Sequence, residues 1–393
     1  MKSATATTYE LDNATEAARQ LADSIKARLV PEKHSLGILF CDADLDGASV
    51  TAALKELLGM EVAGMTTLAS LDKAGCQTAA AVLTVLTADD CRFSATASLP
   101  LAQGGQEQKI AEAYRQNAPD GAEANPGLML AFCPCGMSFS GDIYTSVLAT
   151  VYSTPLLGGV ASDDYDFERA RVFLSGRAYQ DSMVVVGIWG RLEPVFSLRH
   201  VTSRFAERIR RITRAEGNIV HTVGDETFVR YLEGFGLKLD VPDPLLAFTS
   251  YPMMLTREEE DETPLMRHIS GLNFADGSGS FLGDIPVGAL ANICLISKDD
   301  ITAACRDSMS ALLEKARQQN DYTYSTIFCI SCCGRAMILG ADSGAEGRIL
   351  SAMTPDNLAL AGAYCLGEIC PTLHRKDKVL NRFHNCSIAF CMF

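Results

Sequence analysis

The sequence lacks the short motifs that mark the commonest catalytic sites. It contains no phosphate-binding loop of the form Gly-x-x-x-x-Gly-Lys-Ser/Thr, no Gly-x-Ser-x-Gly elbow, no His-Glu-x-x-His zinc motif and no set of kinase motifs. Gly277-Ser278-Gly279-Ser280 is typical of a turn and does not match a dinucleotide fingerprint. Five of the six histidines are scattered: His34, His200, His221, His268 and His374. Enzymes of these classes are therefore not expected.

Long apolar runs are also missing. No stretch reaches the roughly 18 apolar residues that a membrane helix needs, and runs such as 78–86 and 183–189 have the length of buried strands. Residues 1–20 are polar and lack the apolar core of a signal peptide. We therefore expect a cytoplasmic protein without membrane insertion. In that compartment its fourteen cysteines would be thiols and not disulfides.

The charge balance excludes another class of partner. The 393 residues carry 48 acidic and 34 basic side chains, a formal net charge of -14. A chain this acidic repels phosphate backbones, so we expect no binding of nucleic acid. The one dense acidic run, at residues 258–262, is interpreted as a solvated loop. The composition is that of an ordinary globular protein, with a length that allows two or three domains.

Hydrophobic patterning predicts alternating helices and strands in the first half of the chain. A helix capped by Asn13 is followed by a strand at 36–41, and a second helix at 48–58 ends at Gly59. Strands are predicted at 62–66, 78–87, 92–99 and 128–133, with helices at 103–116 and from about 137 to 151. Leu157-Gly158-Gly159 is predicted to be a turn, followed by adjacent strands at 172–174 and 183–189.

The second half is predicted in the same way. A strand at 219–222 precedes a helix at 225–232, and Asp299 or Asp300 is expected to cap a helix with Ile301, Cys305 and Met309 on one face. A strand at 326–330 leads into a turn, a helix spans 345–353, and the last strands are at 359–369 and 387–393. Strands joined by short turns are antiparallel neighbours. The expected fold is α+β, with mixed, largely antiparallel sheets packed in layers, helices outside, and two related halves.

Domain boundaries are predicted from composition. Residues 1–30 are assigned to an N-terminal helix, 31–236 to a first domain and 237–393 to a second, because Pro242, Pro244 and Pro252 mark a loop-rich segment near 237–262. A weak sequence similarity within the chain supports two related halves. Phe132-Cys133-Pro134-Cys135-Gly136 and the segment 328–334 both end an apolar strand in cysteines and glycine.

The cysteines permit three interpretations. Cys133, Cys135, Cys329 and Cys332 could bind zinc or an iron–sulfur cluster, and Cys329 and Cys332 have the spacing of a metal-binding pair. They could instead be buried as small apolar side chains, which is common for thiols. A redox role or contact with a ligand is the third possibility.

Three other side chains near the C-terminus could recognise a ligand. The guanidinium of Arg335 could clamp a carboxylate or phosphate, or form a salt bridge with Glu346 or Glu368. Glu368 lies inside an apolar strand and needs an arginine or a ligand as partner. His384 could be a satisfied buried side chain, a haem ligand or a hydrogen-bonding group.

Several strings in the second half together resemble the FIST C-terminal domain. They are Asp276-Gly277, the segment 283–288, Cys332-Cys333-Gly334-Arg335, Gly362-Ala363-Tyr364, Gly367-Glu368-Ile369 with Pro371, and His384-Asn385. The first half is similar to the FIST N-terminal domain in Gly64-Met65-Thr66-Thr67, in the segment 157–163 and in the segment 181–190. The resemblance covers roughly residues 30 to 392.

The resemblance implies a sensory protein. Members of that family are often fused to output domains and are thought to bind small molecules such as amino acids, and some bind haem and sense nitric oxide. The 393 residues leave no room for an output domain, so a separate output protein is expected. The high number of cysteines departs from the family pattern, and haem or a metal therefore stays among the candidate cofactors.

The resulting expectation is a stand-alone sensor that binds an amino acid or a similar small acid in a cleft between its halves. The expected ligand-binding residues are Arg335, Glu368, His384, Asn385, Cys332, Cys333, Gly159 and Asp163. The alternative is a haem- or metal-binding redox or gas sensor. Its candidate ligands are Cys133, Cys135, Cys329, Cys332 and His384. A third possibility is an enzyme with Cys332 or Cys333 as nucleophile and His384 as base.

Overall fold

The computed structural model describes residues 1–101, 112, 114–120, 125–136, 140–149, 153–201, 208–257, 263–319, 321–375 and 378–393. Most of the predicted helix at 103–116 and all of the acidic run at 258–262 lie outside these residues. The described part is richer in strand than in helix, and its strands form four sheets. The predicted α+β class with mixed sheets is therefore confirmed.

Helices and strands alternate irregularly along the chain. The first part comprises β1 (Lys2–Thr8), α1 (Ala14–Lys26), β2 (His34–Cys41), α2 (Gly47–Leu58), β3 (Glu61–Thr66), β4 (Ser70–Asp72), β5 (Gly75–Gln77), β6 (Ala81–Ala88), β7 (Arg92–Ala97), β8 (Leu128–Cys133), α3 (Asp142–Ala149), β9 (Leu156–Val160), β10 (Val172–Leu174), β11 (Arg177–Tyr179), β12 (Val184–Trp189) and β13 (Val195–His200). The second part comprises β14 (Arg210–Glu216), β15 (Ile219–Val223), β16 (Glu226–Thr227), α4 (Phe228–Glu233), α5 (Pro244–Ala247), β17 (Met253–Thr256), β18 (Leu265–Arg267), β19 (Ile269–Asn273), β20 (Ser278–Phe281), β21 (Leu290–Ile293), α6 (Lys298–Arg317), β22 (Thr326–Cys332), α7 (Cys333–Leu339), α8 (Ala345–Met353), β23 (Ala359–Cys365), β24 (Glu368–Arg375), β25 (Lys378–His384) and β26 (Ser387–Met392).

Three six-stranded sheets form the body of the protein. Their strand orders are β1-β6-β2-β3-β10-β11, β25-β24-β9-β8-β12-β7 and β13-β26-β22-β23-β4-β5. The pairs β2–β3, β8–β9 and β22–β23 are parallel, and each is joined through at least one helix. The other pairs are antiparallel, as predicted for a largely antiparallel fold. The second and third sheets both contain strands from the first and second halves of the chain, so the halves are interleaved.

The three sheets face one another across a shared apolar core, and helices pack on their outer faces. Phe40 of β2, Phe132 of β8 and Phe328 of β22 meet in that core, with ring centroids 5.9 Å apart for Phe40–Phe132 and 6.2 Å for Phe40–Phe328. Separate apolar clusters lie between α1, α2 and the first sheet, and between α6, α8 and the third sheet. The predicted layers with helices outside are confirmed.

The fourth sheet is a separate layer built from residues 210–293. Seven of its eight strands follow the order β18-β17-β21-β14-β15-β20-β19, and β16 pairs with β15. It has its own core, which includes Phe228, Tyr231 and Phe281. This layer and helix α5 lie against the three-sheet body and supply one wall of the cleft described below.

Local chain chemistry accounts for the helix ends. The Asn13 side chain accepts a hydrogen bond from the Glu16 backbone at 3.1 Å, which confirms the predicted cap of α1. Gly59 ends α2 with a φ of 68°, a conformation that glycine adopts without strain. The predicted cap of α6 was wrong by two residues or more. Ser297 is the cap, and Asp300 completes a capping box with it.

Two predictions about the middle of the chain were also wrong. Leu157-Gly158-Gly159 is not a turn, because it lies within strand β9, parallel to β8. The glycines there permit close approach, since a Cβ on Gly158 would lie 2.7 Å from the carbonyl oxygen of Ala131. Strands β10 and β12 are not adjacent, because β10 pairs with β3 in the first sheet and β12 with β8 in the second. Strand β1 was missed within residues 1–30.

Candidate functional site

The Cys332-Cys333-Gly334-Arg335 string lies where strand β22 runs directly into helix α7. The sequence predicted a turn at this point, but Cys333 already begins the helix. The thiols of Cys332 and Cys333 are nearly buried, at 5% and 1% exposure. Gly334 lets another segment approach, because a Cβ there would lie 3.0 Å from the Thr249 methyl. The junction thus presents thiols and bare backbone on one side of the helix.

Arg335 points to the opposite side of the helix and is fully buried. Its Nη2 donates to Oε1 of Glu346 at 2.7 Å and to the carbonyl of Ile301 at 3.1 Å. Glu346 also accepts hydrogen bonds from Ser331 and Tyr364, each at 3.0 Å. Burial acts to lower the pKa of Arg335, but the Glu346 carboxylate outweighs it and the pKa is raised. Of the two partners predicted from sequence, Glu346 is the one that Arg335 contacts.

Glu368 is also fully buried, and no cation among the described residues is bonded to it. Its Oε2 accepts from the backbone N–H of Ser387 at 3.0 Å and from the Ser387 hydroxyl at 2.6 Å, while Oε1 makes no hydrogen bond to this part of the chain. Burial, and then the Cys332 thiol, raise the pKa of Glu368 well above its ordinary value. The bond to Ser387 ties β24 of the second sheet to β26 of the third.

His384 is buried beside a second histidine, His200, which no local sequence signal selected. The rings of His384 and His200 lie 5.0 Å apart between centroids. Neither ring makes a hydrogen bond of normal geometry within the described ranges. Burial, followed by the neighbouring His200, holds the pKa of His384 well below its ordinary value, and burial lowers the pKa of His200 to about 3. Both imidazoles are therefore neutral at pH 7.

Arg335, Glu346, Glu368, Ser387, His200 and His384 are together called the buried polar layer. All but His200 are fully buried, and His200 has buried ring nitrogens. They lie at strand ends and helix starts where the second and third sheets meet. Three of the predicted ligand-binding residues, Arg335, Glu368 and His384, belong to this layer and not to an open surface. Their predicted role in ligand binding remains a prediction.

Asn385 and Cys386 form the corner between β25 and β26. Asn385 Oδ1 accepts from the backbone N–H of His268 at 3.3 Å, whereas its Nδ2 has no partner among the described residues. The ring Nε2 of His268 donates to the Leu245 carbonyl at 2.6 Å, which leaves Nδ1 to accept from the Cys386 thiol at 3.7 Å. Cys386 adopts a φ of 57°, uncommon for a residue with a side chain. His268, set aside in the sequence as scattered, thus joins the site.

Gly159 and Asp163 support the site from behind. A Cβ on Gly159 would lie 2.6 Å from the Cys365 sulfur, so this glycine allows β9 to pack closely on the third sheet. The Asp163 carboxylate accepts from the backbone N–H groups of Phe167, Arg169 and Ala170 at 3.0, 3.0 and 3.2 Å. Those bonds shape the loop 163–170.

An apolar cleft opens in front of the Cys332–Gly334 junction. The first half of the chain contributes Tyr165 and Phe167, which the Asp163 loop holds at φ values of 71° and 62°. The second half contributes the remaining lining residues, Leu245, Leu246, Thr249, His268, Leu282, Cys332, Cys333, Gly334, Met337, Leu366 and Asn385. Four predicted site residues therefore lie in or beside one cleft formed by both halves: Cys332, Cys333 and Asn385 line it, and Asp163 positions its opposite wall.

The proposed metal ligands do not come together. Cys133 packs in the cluster between α3 and the second sheet, whereas Cys329 packs between α6 and the third sheet. Burial raises the pKa of the Cys133 thiol and of the Cys329 thiol well above the ordinary value, and it raises the pKa of Cys135 to about 12. Among the residues that the structure describes, no three His, Cys, Asp or Glu side chains are arranged to hold a metal ion. Haem or metal binding by His384 remains a prediction.

Comparison with protein families identifies the chain. The FIST N domain matches residues 35–226 and the FIST C domain matches residues 226–371. The chain belongs to the FIST family. The resemblance seen in the sequence is thus confirmed. FIST domains are sensor domains of signal transduction.

The two FIST domains meet at residue 226 and are interleaved in space, because β22 and β23 share the third sheet with β4 and β5. The predicted boundary at 236 remains a prediction. No curated protein matches the chain. Within the described ranges, no helix is long and apolar enough to cross a membrane.

Proposed function

We propose that this FIST protein is a cytoplasmic sensor that binds a small ligand in the cleft between its halves and passes the signal to an output protein. The observation that carries the proposal is the composition of the cleft. Tyr165 and Phe167 of the FIST N domain face Cys332 and Cys333 of the FIST C domain, with Asn385 from the segment that follows it. A ligand there touches both domains at once.

The same interface offers a way to transmit binding. The Gly141 backbone N–H donates to the Leu282 carbonyl at 2.9 Å. The Asp142 carboxylate accepts from the Arg267 guanidinium at 2.9 Å and from the Asp284 backbone N–H at 2.8 Å. Arg267 also donates to the Phe383 carbonyl at 2.7 Å, next to the His384–Asn385 corner. A ligand that fits one spacing of these walls better than another would shift the protein toward that spacing.

The class of ligand expected from the sequence was an amino acid or a similar small acid. Arg335 was its expected anchor, but the Arg335 guanidinium is already paired with Glu346 and is fully buried. An acid would therefore need either a rearrangement of this ion pair or an anchor that the sequence did not suggest. This makes the size and polarity of the cleft the better guide to the ligand.

The proposal is tested by blocking the cleft. Leu282 lines it, so Leu282→Trp fills the space, and Leu57→Trp on α2 is a matched control at an exposed position. Thermal-shift screening of small acids, amino acids and neutral amides should give at least one hit with wild type and Leu57→Trp that Leu282→Trp abolishes. Hits that survive Leu282→Trp would place the ligand elsewhere and overturn the proposed site.

A further inference from the structure

The cleft has two chambers that share walls. The first lies at the Cys332–Gly334 junction, and the second is lined by Cys135, Gly136, Gly141, Tyr144, Val160 and Phe383. Phe167, Leu245, Leu282 and Leu366 line both chambers. Each has about 360 Å³ of space between its lining atoms, including the part open to solvent. The joined space therefore suits a small, elongated molecule.

The described lining offers no opposite charge to an ion. Neither chamber has an Asp, Glu, Lys or Arg among the described residues that line it. Burial lowers the pKa of His268. A hydrogen bond with Cys386 together with burial raises the pKa of Cys332, and burial raises the pKa of Cys333. A carboxylate or ammonium group moved from water into this space would lose its hydration without gaining an opposite charge, which is strongly unfavourable.

Among the side-chain nitrogen and oxygen atoms of the lining, one is left without a partner by the residues that the structure describes. The Tyr165 hydroxyl donates to the Cys333 carbonyl at 3.3 Å, the Tyr144 hydroxyl donates to Pro134, and the Thr249 hydroxyl bonds the Leu246 carbonyl at 2.9 Å. His268 uses both ring nitrogens. Asn385 is fully buried, and its Oδ1 is held by the His268 backbone, so the amide orientation is set and Nδ2 is the donor without a partner. Buried donors are normally hydrogen-bonded, so a ligand that supplies an acceptor at this position would be favoured.

We propose that the cleft binds an uncharged, elongated molecule with a carbonyl-type oxygen at one end and an apolar tail. The oxygen accepts a hydrogen bond from Asn385 Nδ2, and the tail extends past Leu282 and Leu366 into the chamber beside Tyr144 and Phe383. This inference rests on the proposed function, because it names the ligand class for the same cleft. A small amide, ketone or ester with a short aliphatic chain meets the description.

The test uses three probes with six-carbon chains that differ in charge: hexanamide, hexanoate and norleucine. Titration calorimetry at pH 7.5 on the full chain should show hexanamide binding at least about tenfold more tightly than the other two, because burying their charges is unfavourable. From propanamide to hexanamide, affinity should rise about fourfold per methylene, since each buried CH₂ contributes about 0.8 kcal/mol. Val160→Phe, which narrows the second chamber, should remove that gain.

The variant Asn385→Leu removes the donor, and Thr249→Val alters a neighbouring hydroxyl that is already bonded. Hexanamide affinity should fall at least about tenfold in Asn385→Leu and less than about threefold in Thr249→Val. Near-UV circular dichroism confirms that each variant is folded. If norleucine or hexanoate binds as tightly as hexanamide and Leu282→Trp abolishes it, the ligand class is overturned while the cleft stands. Binding that Leu282→Trp leaves unchanged overturns the cleft itself.

Discussion

The cleft and the buried polar layer lie on opposite sides of the same strand-to-helix junction, but only the layer contains charged side chains. In the layer, Arg335 and Glu346 are both fully buried and paired at 2.7 Å, with Ser331 and Tyr364 completing the carboxylate's bonds. The described lining of the cleft contains no charged residue and one unpartnered amide donor. The charged pair lies in the layer behind the cleft, and the described lining of the cleft itself is neutral.

Helix geometry separates the two regions. Cys333 and Met337 are four residues apart in α7 and line the cleft together, whereas Arg335 lies about half a turn from each and points inward. The strand-end motifs behave similarly. Glu368 and His384 face each other across β24 and β25 and are buried, while the next residue, Asn385, reaches the cleft. Neighbouring residues of one motif therefore have different roles.

The largest expected effect comes from breaking the ion pair of the layer. Arg335→Met leaves Glu346 buried without its cation and should lower the free energy of unfolding by about 3–5 kcal/mol. Removing both partners in Arg335→Met/Glu346→Leu should recover much of that loss. Arg348→Met, which breaks an exposed pair with Asp342, is the control and should change stability little. Urea unfolding measures all three. A single variant as stable as wild type would contradict the role assigned to this pair.

A smaller effect is expected at the cleft wall. Asp163→Asn keeps one acceptor but turns an NH₂ group toward the backbone N–H groups of Arg169 and Ala170, which should cost about 2 kcal/mol. Tyr165 and Phe167 should lose their positive-φ conformations, so amides 164–170 should exchange with deuterium faster. Asp164→Asn, at an exposed acidic residue of the same loop, is the control. Equal exchange in both variants would show that Asp163 does not hold the wall.

Per pH unit, the smallest effect is a change in the pH dependence of stability. Because the pKa of Glu368 is raised on folding, the folded protein binds a proton that the unfolded chain releases above about pH 4.3. Stability should therefore fall as pH rises from there toward the folded pKa. Glu368→Gln should flatten this slope by up to about 1.4 kcal/mol per pH unit, and Glu56→Gln on the exposed face of α2 should not. Unfolding midpoints from pH 5 to 9 give the slope, and parallel profiles would refute a protonated Glu368.

Much of the fold follows from local pattern. The strand at 128–133 and the helix at 345–353 have the predicted bounds, because an unbroken apolar run and a clean amphipathic face each permit one structure. The glycines at 158 and 159 were misread, since a glycine that allows close strand packing resembles one that makes a turn. Strand β1 was missed because its small residues show little alternation between apolar and polar side chains.

The site was predicted less completely than the fold. The motif strings selected Cys332, Cys333 and Asn385, which line the cleft, and Asp163, which shapes it. Tyr165, Phe167, His268 and Leu282 were missed, because an aromatic in a loop and a lone histidine carry no local signal. Their common position depends on contacts between segments a hundred or more residues apart, such as the bond from Gly141 to Leu282.

By itself, the sequence determined the family, the α+β class, the layered arrangement and the short motifs where the chemistry gathers. These depend on side-chain periodicity, capping and motif spacing, all of which are local. Only the tertiary structure decided which motif residues line the cleft and which are sealed behind it. That division depends on which face of α7 and which side of the β25–β26 corner meets the fourth sheet and helix α5. No local pattern encodes that packing, because it arises from the interleaving of strands far apart in the chain.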